Sequence, residues 1–408
     1  MTILFISDNF PPEVNAPATR TYEHCRHWVK KGANVTVITC FPNFPQGKVY
    51  PGYRNKLYQS ETIDGIRVIR VWSFITANEG FLKRSLDYIS FGIMAFLNSL
   101  FLRCDIILAT SPQFFSALAA NSAAFIKRKP WIMEVRDLWP ESIKSVGAMK
   151  QGTTLKILEK MELNLYRRAA KVVVVTESFK LNLIQRGISQ DKIFIVKNGV
   201  NFDLFKPREK DHGLLKDLQL EGEFIIGYIG THGMAHKLDF ILECADSFKR
   251  SHPFRFIFIG DGAEKQKLIK ISEDLNLSNV TFLDSVEKAE MPRYLSIMDI
   301  AVVPLKRSDT FKKVIPSKIF ETAAMQVPIL LGVEGEAKCL LEKYDAGLCF
   351  VPENKADFIR QLTGYYNQQK ELKGRYKAGC ERLAADYDRE RLAGHMLNII
   401  NEAVTSEK

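Results

Sequence analysis

FIIGYIGTHGMAHKLDFILE, residues 224–243, passes from an apolar run through a glycine-rich turn into a stretch of helical periodicity. The first six residues read as a strand. Gly227, Gly230 and Gly233 bracket the strand end, and the pattern predicts a helix starting near His236. Small residues and free amides at a helix start suit a phosphate group. The spacing G-x-x-G-x-x-G is not the dinucleotide fingerprint, and a glycine turn without a ligand is the plainer reading of the same residues.

Working outward, short β-rich runs alternate with helical stretches along the whole chain. Strands are predicted at 2–7, 34–39, 66–71, 105–109, 131–135, 171–175 and 192–196, then at 224–229, 255–259, 280–283, 300–303, 328–331 and 348–350. This is the pattern of parallel sheets covered by helices. Between the two sets lies KNGVNFDLFKPREKDHG, polar and turn-rich, which reads as a linker. The fold class is therefore α/β, with two tandem Rossmann-like doubly wound domains, whose ligands bind at the carboxyl ends of the strands.

The bulk properties agree. A chain of 408 residues suits two domains better than one. Its net charge of +10 points to anionic partners. The seven cysteines contain no C-x-x-C pair, which reads as reduced thiols without a zinc site or disulfide framework. No secretory leader is expected at the start of the sequence.

A second informative stretch is PLKRSDTFKKVIPSKIFETAAMQVPIL, residues 304–330. Lys306, Arg307, Lys312, Lys313 and Lys318 stand close in sequence between a strand and a helix, where a ligand site belongs, although a charge run is usually a solvated face. Pro316 in the first turn and Ser317 as cap would start that helix. Lys318 offers a point charge for a diphosphate. Glu321 makes sense there as acceptor for two vicinal ribose hydroxyls.

In the first half, SDNFPPEVNAPATR (residues 7–20) links the first strand to a helix without a single glycine. A dehydrogenase is disfavoured by that glycine-free turn. Pro11, Pro12 and Pro17 restrict its shape. Arg20 either reaches a phosphate or is a surface or ion-paired arginine. In EVRDLWPES (residues 134–142), Arg136 and Asp137 fall at the carboxyl end of a strand, as a site or as a structural pair.

With these stretches together, a family resemblance emerges. IVKNGVN, FIIGYIGTHGMAHKLD, FIFIGDGAEKQKL, MPRYLSIMDIAVVPL and PSKIFETAA, in that order, resemble the C-terminal domain of a family 4 glycosyltransferase of the GT-B fold. SDNFPPEVNAPATRTYEH and EVRDLWPES resemble its N-terminal domain. The combination is similar to the bacterial branch that adds an amino sugar such as N-acetyl-L-fucosamine in O-antigen or capsule synthesis. The resemblance implies an acceptor domain over 1–200, with a helix at 386–408 packing back on it, and a nucleotide-sugar domain over 201–385.

It further implies retaining transfer from a UDP-sugar, without a metal, to a polyprenyl-diphosphate-linked sugar. Glu321 would bind the ribose. Pro316, Ser317 and Lys318 would lie near the diphosphate, over a loop of Gly230, Thr231 and His232, with the base at Ser285 and Val286. Arg136, Asp137 and Lys318 would serve the reaction, and Asn15, Ala16 and Arg20 would line the acceptor side. Departures from the family stand out. Thr231 and His236 occupy places where many members have arginine and lysine, Lys313 replaces the first acid of a glutamate pair, and Arg136 replaces a histidine.

The segment 81–103 carries an apolar run from Ile89 to Leu102, flanked by Lys83, Arg84 and Arg103. Fourteen residues of helix rise about 21 Å, short of the roughly 30 Å hydrocarbon core. The segment is either a core helix or an interfacial one that holds a cytoplasmic enzyme on the inner face of the cell membrane. The rival readings are a soluble nucleotide-sugar epimerase of the same architecture and a nucleotide-dependent binding protein. Nucleic acid is disfavoured, because no aromatic stacking surface interleaves the cations.

Overall fold

The structure, a computed structural model, describes residues 1–44, 46–76, 81–111, 114–138, 152–249 and 251–406. They form two compact units, Met1–Lys197 with Arg389–Lys408, and Asn198–Asp388.

The first unit is built on an eight-stranded sheet. Its strands are β1 (Thr2–Ile6), β2 (Asn34–Cys40), β3 (Tyr58–Ile63), β4 (Ile66–Val71), β5 (Ile106–Thr110), β6 (Trp131–Val135), β7 (Lys171–Val174) and β8 (Ile193–Ile195). They lie in the order β3-β4-β2-β1-β5-β6-β7-β8, and all neighbours are parallel except β3 with β4. β5 and β6 are buried at every position, which is why they are predominantly apolar rather than alternating, with Glu134 the one charged residue between them. The strand order reverses direction between β1 and β5, so the loops that follow β1, β5 and β6 gather at the carboxyl end where such sheets take ligands.

β3 is a strand the sequence reading lacks. It sits at the sheet edge, alternates exposed and half-buried, and joins β4 through Asp64 and Gly65 with φ of 48° and 79°. Two consecutive left-handed residues make the tight turn that suits a twisted hairpin, and Asp-Gly is its sequence mark.

The helix Arg389–Thr405 belongs to this first unit. Met396, Ile399 and Ile400 enter the core beside Ile3, Phe5 and Trp28, and the Trp28 indole donates to the Ala393 carbonyl at 2.9 Å. On another flank, the helices Phe81–Leu100 and Phe114–Lys127 pack closely; a Cβ on Gly92 would lie 2.9 Å from the Phe115 Cβ.

The second unit carries six parallel strands: β9 (Phe224–Ile229), β10 (Phe254–Ile259), β11 (Val280–Leu283), β12 (Ile300–Pro304), β13 (Ile329–Gly332) and β14 (Gly347–Cys349), ordered β11-β10-β9-β12-β13-β14. Its reversal lies between β9 and β12. The two stretches singled out for chemistry, after β9 and after β12, therefore emerge side by side. The helix expected near His236 begins at Leu238 instead. Met234–His236 form a single 3-10 turn, and Lys237 adopts φ 49°, a left-handed conformation that a helix cannot contain.

Candidate functional site

Around Gly230 the second unit is locked by backbone contact. Gly230 leaves β9 with φ +140°. Its carbonyl oxygen would lie 2.0 Å from a Cβ on Gly260, and the His232 carbonyl would lie 2.5 Å from one on Gly262. The His232 amide donates to the Asp261 carbonyl at 2.8 Å, and the Glu264 amide donates back to His232 at 3.0 Å. The G-D-G of residues 260–262 is thus the seat on which the Gly230–His232 loop rests. Two glycines directly after a strand were the available signal for that role.

Beneath the loop lies Lys318. Its Nζ sits 4.0 Å from the centroid of the Tyr228 ring, hard against Gly230, where an added Cβ would meet it at 2.8 Å. The side chain is half-buried, but Nζ itself is shielded from water and has no hydrogen-bond partner. Burial pushes its pKa down to about 7, with Glu321 as the opposing influence. His232 and His236 flank the same tyrosine, each with ring centroids at 5.8 Å.

Glu321 is buried on the helix Lys318–Ala324 and pairs with Lys288, a residue the sequence reading did not single out. Ser317 stands at the cap position, but its side chain makes no cap hydrogen bond, because the segment enters the helix already curled (φ −60°, ψ −27°). The capping role read from sequence is therefore corrected. Pro316 accepts the Ile319 amide through its carbonyl at 3.1 Å, so it closes the first turn. Ser285 and Val286 follow β11, whose end is fastened by Lys265: its ammonium donates to the carbonyls of Gly260 and Leu283 and to Asp284, at 2.9, 3.1 and 2.7 Å.

The five cations of residues 306–318 do not converge. Lys306 and Arg307 are exposed, and Lys312 pairs with Asp309 at 2.9 Å and Glu334 at 3.7 Å. Lys318 is the one among them held beneath the Gly230 loop.

In the first unit, Ser111 organises the end of β6. Its hydroxyl oxygen accepts the Arg136 and Asp137 amides at 2.8 and 3.1 Å. Arg136 donates through Nη2 to the Ala16 carbonyl at 3.1 Å, tying the first loop to the end of β6. Burial lowers its pKa to about 10 against the pull of Glu134 and Asp137. Asn15 caps the helix Ala16–Lys30, accepting the Ala18 amide at 2.9 Å, so its side chain is a structural cap.

Arg20 turns inward. It is buried, donates to Glu134 at 2.9 Å, and holds the carbonyls of Lys197 and Val196 at 2.8 and 2.9 Å. The ion-paired reading holds and the phosphate-reaching one is corrected. Burial would raise the Glu134 pKa, but Arg20 and Arg136 beside it bring it down to about 2. Trp139, Pro140, Glu141 and Ser142 lie outside the described residues. Among the described residues no three His, Cys, Asp or Glu side chains gather as metal ligands.

Comparison with known proteins settles the class of chemistry. Residues 17–204 match the family model "Glycosyltransferase Family 4", and residues 214–381 match "Glycosyl transferases group 1". The chain is a glycosyltransferase. Among curated relatives, the glycosyltransferase is 25% identical over 353 residues to the putative colanic acid biosynthesis glycosyl transferase WcaI of Escherichia coli K12, covering 84% of each chain. Its fold is GT-B. It superposes on sucrose-phosphate synthase from Thermosynechococcus elongatus with a TM-score of 0.80 at 16% identity, over 99% of both chains. Anabaena Alr3699/HepE, solved in complex with UDP-glucose, gives 0.73 at 15% identity, over 98% of this glycosyltransferase and 100% of HepE.

Proposed function

We propose that the glycosyltransferase moves a sugar from a UDP-sugar, with retention, onto a polyprenyl-diphosphate-linked sugar during bacterial surface polysaccharide synthesis. The observation that carries this reading is the grouping of the Gly230–His232 loop, Lys318 and Glu321 at one end of the second sheet. A loop with a buried ammonium suits a diphosphate, and a buried carboxylate on the same helix suits a ribose diol. Ser285 and Val286 follow the neighbouring strand and would border the base. Alr3699/HepE, of the same fold, was solved with UDP-glucose, and WcaI is named for colanic acid biosynthesis; both support the choice of donor and pathway class. The sugar is drawn from the resemblance, an amino sugar such as N-acetyl-L-fucosamine.

The second unit takes the donor in this reading and the first takes the acceptor. Neutralisation of the departing diphosphate falls to Lys318 and the loop amides. Asp137 and Arg136 at the end of β6 would meet the reacting sugar or the acceptor hydroxyl. Thermal unfolding with UDP, GDP, ADP and NAD is the direct test. UDP is expected to raise the midpoint by several degrees, and equal or absent shifts with all four would remove the donor assignment.

Attachment to the inner face of the membrane is assigned to the helix Phe81–Leu100. Phe91, Ala95 and Ser99 are buried, whereas Leu86, Ile89, Ile93, Leu97 and Phe101 form an exposed apolar stripe. The Lys127 ammonium donates to the Leu100 carbonyl at 3.1 Å, bringing exposed Phe125 and Ile126 to the same end. Exposed Arg103, Arg128 and Lys129 surround them, an arrangement suited to anionic headgroups. The helix is thus core on one face and exposed on the other. Phe96 is half-buried, so the informative substitutions are Ile93→Asp, Leu97→Asp and Phe101→Asp. Each lost insertion costs about 1.5–3 kcal/mol, so the triple variant should lose at least tenfold in binding to anionic vesicles while its unfolding midpoint holds. Unchanged sedimentation with vesicles would reject the membrane role.

A further inference from the structure

The stretch that joins β2 to β3, residues 41–57, plays no part in the donor site. Its described residues form turns only. Loops longer than about 12–15 residues without secondary structure usually carry function. Two buried charges hold this one in place. The Glu13 carboxylate, from the loop after β1, accepts the Asn43 and Phe44 amides at 2.8 and 2.9 Å. Arg70 of β4 is fully buried and donates to the Pro11 and Cys40 carbonyls at 2.5 and 3.2 Å and to Glu61 at 2.6 Å. Its guanidinium also lies 4.9 Å from the centroid of the Tyr53 ring. Tyr50 donates its hydroxyl to the Phe44 carbonyl at 2.6 Å, and the Asn55 side chain donates to the Ser73 carbonyl at 2.8 Å. β1 and β2 are parallel neighbours, so this platform stands beside the first loop at the carboxyl end of the sheet.

The platform presents three cations. Lys48, Arg54 and Lys56 are exposed, and among the described residues none of them has an ion-pair partner. The carboxylates of Glu13 and Glu61 are committed to the frame. An apolar strip leads away from the cations. Leu57 and Phe74 are exposed, the Trp72 amide donates to the Leu57 carbonyl at 3.4 Å, and the Phe74 amide donates to the Ser90 hydroxyl at 2.8 Å. Ser90 is one helical turn from both Leu86 and Ile93, which belong to the exposed stripe of the helix Phe81–Leu100. The stripe therefore continues through Phe74 and Leu57 to the cationic loop.

An apolar strip that ends in cations at the ligand-binding end of a sheet fits one kind of amphiphile, a hydrocarbon chain joined to a diphosphate. Ordinary headgroup contact would not need a platform braced against the first loop by buried charges. We infer that Lys48, Arg54 and Lys56 bind the diphosphate of the lipid-linked acceptor, with its hydrocarbon along Leu57, Phe74 and the helix stripe. The inference rests on the acceptor reading above and deepens it. The Arg54 guanidinium offers a fork to the phosphate oxygens, and the two ammoniums add point charges. Bracing the loop before the ligand arrives lowers the ordering cost of binding.

The experiment is flotation of the full chain with neutral phosphatidylcholine vesicles that carry polyprenyl diphosphate, against vesicles carrying phosphatidylglycerol at the same total charge. Cations near a membrane surface contribute about fivefold each, so the wild type should prefer the diphosphate vesicles by about tenfold or more. The combined Lys48→Gln, Arg54→Gln and Lys56→Gln variant should lose that preference. Its binding to phosphatidylglycerol should change by less than about threefold, because Arg103, Arg128 and Lys129 remain at the other end of the stripe. Its tryptophan fluorescence midpoint should hold, since all three side chains are exposed. Ile93→Asp with Leu97→Asp and Phe101→Asp should weaken binding to both vesicle types and keep the preference. A triple glutamine variant that still prefers the diphosphate overturns the inference and leaves the lipid-linked acceptor standing. Equal losses on both vesicle types reduce the three cations to general headgroup contacts and also overturn it. A wild type without any preference removes the lipid-diphosphate acceptor, and the inference falls with it.

Discussion

Arg20→Ala lowers the stability of the first unit by about 3–5 kcal/mol, the cost of leaving a buried charge without its partner. Arg20 and Glu134 are both nearly inaccessible, and the arginine also satisfies two carbonyls that precede the crossing into the second unit. Replacing the pair by Arg20→Met with Glu134→Leu should recover most of the loss, because the charge that is costly to bury goes too. The measurement is clean for a simple reason of composition. All four tryptophans, Trp28, Trp72, Trp131 and Trp139, fall within 1–197, so tryptophan fluorescence follows the first unit alone. A single variant with an unchanged fluorescence midpoint would contradict the structural role. The carboxylate also sets a pH dependence. Its pKa is held at about 2, below the ordinary 4.5, so the pair's contribution is present at neutral pH and fades as the pH falls toward 2.

Glu321→Ala should raise the Kd for UDP by about 10- to 100-fold, the worth of roughly 1.5–3 kcal/mol for hydrogen bonds to a charged acceptor. Glu321→Gln should fall in between, since an amide keeps one acceptor. Lys288 adds a check on the mechanism. It pairs with Glu321 across 33 residues of sequence, so a ribose bound by the carboxylate would have to share or displace that contact. Calorimetry on both variants measures the loss, and a change below threefold with Glu321→Ala would remove the ribose role.

How much of this was readable in the sequence depends on whether the decisive partner lies nearby in the chain. β5, β6 and β9 announce themselves because a strand covered on both faces is mostly apolar, Glu134 in β6 being the exception that needs a buried partner. β3 escaped because an edge strand with one wet face is polar by composition, and its best sign was the Asp64–Gly65 turn. At the site, PSKIFETAA announced a cation and a carboxylate three residues apart. The sequence did not reveal that Ser317 makes no cap bond, that Lys318 is sealed against Tyr228, or that Glu321 meets Lys288. Arg20 is the clearest case: its partner Glu134 is 114 residues away, and nothing local distinguishes a buried ion pair from a phosphate clamp.

The packing of the helix Arg389–Thr405 on Trp28 bears on how the chain matures at the ribosome. The first 197 residues emerge with the socket for those 17 residues empty, and the apolar face that includes Ile3, Phe5 and Trp28 stays uncovered while the entire second unit is translated. Newly made first units are therefore natural clients for chaperones that shield apolar surface. A nascent chain stalled before residue 389 should bind them far longer than one that has released its final helix.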